Sequence, residues 1–218
     1  MDFRIIRDKI TIRMVNRELH QKELEDKVYR EFLDLAAVFY LISDPNNPGS
    51  FATPVTKEMA REWIVEEDEL YEIAMYNMDN TMEICIKNIL ISMVEMLQSD
   101  ACKSDMECII EDMQELADAE ERKEQMFVIA DISRMNGAVA LLRGDLLQKY
   151  ADMLEKDLVI IPSSVHELIC IRDSKNFDYD ALKRVVSEVN REMVKADEVL
   201  SNNIYRYSRT EKCLEIIA

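Results

Sequence analysis

A chain of 218 residues with 48% hydrophobic and 33% charged side chains has the composition of a folded protein, large enough to bury a real core. Its net charge of −17 repels nucleic acid and anionic membrane and attracts basic surfaces, and no run of 18 apolar residues is present to span a bilayer. Five scattered cysteines without a CxxC pair, and two distant histidines (His20 and His166), give no paired ligand spacing, so no metal and no cofactor is expected.

The charge is concentrated in the middle. Residues 57–124 hold 20 acidic against 6 basic side chains, 9 against 8 precede them, and 15 against 13 follow. Three glycines and four prolines leave no linker, so the chain reads as a single body over 1–218. Within it, 1–56 reads as a helix plus hairpin, 57–124 as an acidic helical region and 125–218 as mixed strand and helix. Unpaired cysteines and a charged N-terminus without a signal-peptide run point to the cytoplasm.

Taken in chain order, residues 3–14 fit either a short helix or a strand, and Glu18–Phe32 reads as helical. Leu35–Ile42 is an apolar run of strand length, buried on both faces. Ser43–Gly49 is the strongest turn signal, and Ser50–Val55 returns antiparallel to complete a hairpin. Thr56 caps a helix through Trp63. A second helix from about Glu66 puts Leu70, Ile73, Ala74 and Asn77 on one face. Asn80 is expected to cap a third, striped by Met82, Cys85, Ile86, Ile89, Leu90, Met93 and Leu97. Ser104–Glu107 is a capping box for a fourth, with Glu107, Glu111 and Glu115 along its polar side. Met126–Ala130 reads as a strand, Gly137–Leu142 as a strand or helix start, and Gly144–Leu154 as a helix. Leu158–Ile161 and Leu168–Ile171 are strands around a Pro162–Glu167 corner. Asp178–Val194 is a helix with Leu182, Val185, Val186, Val189 and Met193 in register, and Ile204–Tyr207 is a closing strand. Strands joined by short turns and mixed with helices define an α+β class with an antiparallel or mixed sheet.

Chemistry has few footholds. Ser163, Ser164, His166 and Glu167 are the one grouping of serine, histidine and carboxylate, and a functional reading makes His166 the base for a serine. On a strand, Glu167 points away from Ser164 and His166, so the plainer reading is a corner whose serines satisfy backbone groups. Asp131, Arg134 and Asn136 follow a strand and read as turn formers. The basic N-terminus (Arg4, Arg7, Lys9, Arg13, Arg17) is weak as a nucleic-acid site, given the net charge. Met75, Met78, Met82, Met93, Met96, Met106 and Met113 of the acidic region suit either an irregular core or an adaptable binding surface.

Several segments together resemble a bacterial domain family of unknown function. They are Phe32–Tyr40, Glu69–Asn77, Ser133–Leu142, Ile161–Glu167, Val189-Asn190, Leu200-Ser201 and Tyr205–Tyr207. The resemblance implies a cytoplasmic protein of anaerobic Gram-positive bacteria, in a family whose members often extend further at the N-terminus. It marks Pro162–Glu167 as a site candidate and implies no reaction.

The expected function is therefore non-enzymatic: an acidic helical face binds a basic protein partner through Glu66, Glu67, Asp68, Glu69, Glu107, Glu111, Glu115 and Asp118. In a sharper form that face mimics nucleic acid and inhibits a nucleic-acid-binding or defence protein. It competes with the plain alternative of a solvated face that aids solubility. A hydrolase using Ser163 or Ser164 with His166 is the other class. No direct nucleic-acid or membrane partner is expected, and a homodimer through an exposed strand such as 204–207 is left open.

Overall fold

A computed structural model describes residues 3–45, 47, 50–93, 126–162, 164–174 and 177–218. The fold is α+β, built on two antiparallel sheets. The first holds β1 (Ile10–Asn16), β2 (Tyr29–Phe32), β3 (Leu35–Ile42) and β4 (Ala52–Pro54), with β1 on one side of β3 and both β2 and β4 on the other. The second runs in the order β10-β9-β7-β8-β6-β5. Its strands are β5 (Ile84–Asn88), β6 (Met126–Asp131), β7 (Leu158–Ile161), β8 (Glu167–Arg172), β9 (Tyr205–Ser208) and β10 (Cys213–Ile216).

Side-chain alternation explains how one core serves both sheets. Ile10, Ile12 and Met14 of β1 and Leu35, Ala37 and Phe39 of β3 face inward. They join Ile129, Leu158, Ile160, Leu168, Cys170 and Tyr205 from the second sheet in one buried cluster. The opposite residues of β3, Ala36 and Val38, pack with Leu24 on the outer side, so β3 is covered on both faces as its unbroken apolar run requires. At the centre lies Gly137–Leu142, neither strand nor α-helix but a 3-10 turn, with Gly137 through Leu141 buried against β1, β6 and β8.

The helices include α1 (Phe3–Ile6), α2 (Gln21–Leu24), α3 (Lys57–Trp63), α4 (Glu67–Thr81), α5 (Gly144–Leu154) and α6 (Tyr179–Met193), besides a helical stretch at 89–93. Thr56 caps α3 by accepting from Met59 N at 3.2 Å, and Asp178 caps α6 by accepting from Ala181 N at 2.9 Å. Helix α4 buries Leu70, Ile73, Ala74, Asn77 and Met78 beside β1. Asn77 sits on that apolar face because its Nδ2 donates to the carbonyls of Arg7 (2.7 Å) and Ile10 (2.9 Å), which satisfies a buried amide.

Four expectations need correction. Glu18–Phe32 holds one helical turn, α2, and then becomes β2, because Tyr29 through Phe32 find a partner in β3. The helix expected from Asn80 starts later: α4 runs on to Thr81, Ile84–Asn88 is a strand paired with Phe127–Asp131, and the chain is helical over 89–93, with Leu97 outside the described residues. Helix α6 buries Val186 and Asn190, while Val185, Val189 and Met193 are exposed. Strand 205–208 is no edge, since β9 lies between β7 and β10. The expected helix from Ser104 lies outside the described residues.

Candidate functional site

Three loops meet at the seam between the sheets. The turn after β6 is built by Asp131, whose Oδ1 accepts from the backbone N–H of Met135 and Asn136 (2.9 Å each) and whose Oδ2 accepts from Ser133 Oγ. Asn136 Nδ2 then reaches across to the Ile12 carbonyl of β1. Asp131 and Asn136 are therefore turn formers, with both carboxylate oxygens of Asp131 and the Asn136 Nδ2 engaged. Next, Gly137 N donates to the His166 carbonyl (3.0 Å) and Ala138 N to that of Val165 (3.3 Å). A Cβ on Gly137 would lie 2.2 Å from His166 O and 2.7 Å from Ala130 Cα, so only glycine fits where these two backbones cross.

The Pro162–Glu167 corner holds Ser164 and His166 in close sequence but not in catalytic geometry. Ser164 Oγ accepts from the backbone N–H of His166 at 3.1 Å, a serine turn. The imidazole donates from Nδ1 to the Met135 carbonyl at 3.0 Å, and its Nε2 stands 3.7 Å from Glu198 Oε1. Lys195, bonded to Glu198 at 2.8 Å, holds that carboxyl below its usual range, with His166 adding to the effect. A general base for Ser164 would need a ring nitrogen on Oγ, and among the described residues both ring nitrogens face other acceptors. Ser163 lies outside the described residues. Glu167 points away, onto the outer face of the second sheet.

The third loop ties the corner to the first sheet. Asp34, in the two-residue turn between β2 and β3, accepts from Ser201 Oγ (2.6 Å), Asn203 Nδ2 (2.9 Å) and the Tyr205 hydroxyl. Burial and this carboxylate together push the Tyr205 phenol well above its ordinary value. Asn190 Nδ2 secures the same loop through the Ser201 carbonyl (3.1 Å) and Asn202 Oδ1 (2.9 Å). Sequence reasoning missed Asp34, Lys195, Glu198 and Asn203, because their partners lie far along the chain and none belongs to a local motif.

The acidic residues separate into two groups. Glu67 and Asp68 both pair with Arg30, whose guanidinium lies over the Tyr71 ring at 3.9 Å, so one of their two charges is balanced within the molecule. Glu66 and Glu69 are exposed and have no such pair among the described residues. Glu69, Glu72 and Tyr76 follow at helical spacing on one exposed strip of α4, and Tyr76 is 69% exposed. Ile64, between α3 and α4, is 89% exposed and held at φ 58°. Glu107, Glu111, Glu115 and Asp118 lie outside the described residues.

No group of three or more His, Cys, Asp or Glu side chains suited to a metal occurs among the described residues, and no described helix is long and apolar enough to cross a membrane. The chain is thus a two-sheet α+β domain whose sheets meet at a hydrogen-bonded seam. It belongs to the family of unknown function DUF5688, whose family model matches residues 1–209. No curated protein and no solved structure matches it.

Proposed function

We propose that this protein is a non-enzymatic binding module that docks a basic protein through the exposed strip of α3 and α4. The observation that supports it best is Ile64. A β-branched side chain in the left-handed region is costly, and leaving it in water forfeits its burial. Its left-handed turn closes α3 through bonds to the Ala60 and Arg61 carbonyls, a task that glycine performs without strain, so the exposed isoleucine itself is what calls for a function. Around Ile64 and Tyr76, the unpaired carboxylates of Glu66, Glu69 and Glu72 supply attraction and orientation, while the two apolar groups supply contact area. In its finer form the carboxylates stand in for phosphates, and the partner is a nucleic-acid-binding protein that the module inhibits.

The test compares wild type with a Glu66→Lys, Glu69→Lys, Glu72→Lys variant as bait, with salt-step washes and duplex DNA as competitor. A basic partner held by wild type, released by moderate salt and lost by at least about tenfold in the variant supports the reading. Displacement by DNA supports the mimic. Capture indifferent to salt and to all three substitutions would sink both.

A further inference from the structure

The outer face of the second sheet carries an opening of about 610 Å³ that borders the seam at Asp131 and Glu167 and lies apart from the acidic strip. Its shape follows from strand register. Cys85, Ala130 and Glu167 stand opposite one another across β5, β6 and β8, and Lys87, Val128 and Ile169 form the next row. The small side chains of Cys85 and Ala130 leave a hollow between larger neighbours, floored by Val128, Ala130 and Ile169. The volume falls in the range of small-molecule sites.

Its polar ends are Glu83 and Glu167. Neither carboxylate has a hydrogen-bond or ion-pair partner among the described residues. Lys87 and Arg134 also line the opening, but each already interacts within the chain. Glu83 is in register with Ile132, whose N–H donates to the Glu83 carbonyl at 3.0 Å, and Glu167 with Ala130. The two acids thus lie on one face, two strands and two residues apart, which places their Cα atoms roughly 12 Å from each other. Carboxylates at either end of an apolar floor complement a molecule with a cation at either end of an aliphatic chain.

We propose that this hollow binds a linear aliphatic diamine, one ammonium on Glu83 and the other on Glu167, with the methylenes over the hollow between them. Calorimetric titration of the full chain with 1,5-diaminopentane and with pentylamine, at fixed ionic strength, tests it. The diamine should bind at least about tenfold more tightly than the monoamine, and Glu83→Gln and Glu167→Gln should each weaken it by about tenfold. It should also slow alkylation of Cys85 but not of exposed Cys213. A Glu66→Gln, Glu69→Gln variant should bind as wild type. Glu83 is exposed, so its variant keeps the test decisive if Glu167→Gln loses the fold. Equal binding of monoamine and diamine, sensitivity to Glu66 and Glu69 instead, or no protection of Cys85 would overturn the proposal. So would tighter binding of Nα-acetyl-lysine amide, which would assign the hollow to a protein lysine.

Discussion

Gly137 is the residue on which the seam turns. Its hydrogen occupies a space where a methyl group would meet two backbones, and neither the His166 carbonyl nor Ala130 Cα is a flexible side-chain end. Gly137→Ala should therefore cost about 1–3 kcal/mol or more, read as a lowered urea midpoint with an unchanged slope. Asp34 is the second such position. Asp34→Ala leaves the Ser201, Asn203 and Tyr205 donors without their acceptor, at about 1–3 kcal/mol, whereas Tyr205→Phe removes one bond and should cost about 1 kcal/mol. Equal losses in the two variants would contradict a shared acceptor. Ile64 behaves in the opposite sense. Ile64→Gly relieves the left-handed backbone at the end of α3 and should raise stability by about 1 kcal/mol while weakening the partner captured in the pull-down.

At the scale of elements, sequence and structure agree where the pattern is long or capped. Leu35–Ile42, the Thr56 cap, the buried face of α4 and helices α5 and α6 follow from apolar period and cap chemistry. Disagreement arises where pairing across the chain decides. Met82, Cys85 and Ile86 satisfy a helical stripe, yet Ile84–Asn88 is drawn out beside β6, and period two then sends Cys85 and Lys87 to one face and Ile84 and Ile86 to the other. The site was legible in part. Ser164 and His166 could be placed at a corner, but the Met135 carbonyl and Glu198 that claim the imidazole come from 31 and 32 residues away. Helix α6 shows the same limit: Asn190 is buried in place of Val189 because the 201–202 segment offers its amide two acceptors.

For the whole molecule, groups that the fold holds protonated weaken it at alkaline pH. Burial raises the Cys170 thiol from 9.0 to about 12, and burial with the Asp173 hydrogen bond raises the Tyr179 phenol to about 12. The unfolded chain gives up these protons first, so it binds fewer protons than the folded chain in that window. Stability is then full below about pH 9 and declines from there to about pH 12. Urea midpoints measured across that range should fall, and less steeply in Tyr179→Phe. A flat profile would contradict the assignment.

The clasp on Asp34 has a further consequence in time. Asp34 meets Ser201, Asn203 and Tyr205 across 167 to 171 residues of chain, and Asn16 Nδ2 meets the Leu200 carbonyl across 184. During synthesis the first sheet emerges long before the segment that fastens it, with the inner faces of β1 and β3 still lacking much of their cover. Folding of this core to completion must therefore wait for the 200–205 segment to leave the ribosome, and contacts of such sequence separation close slowly. A chain stalled before Leu200 would present that apolar face to whatever chaperone or protease reaches it first.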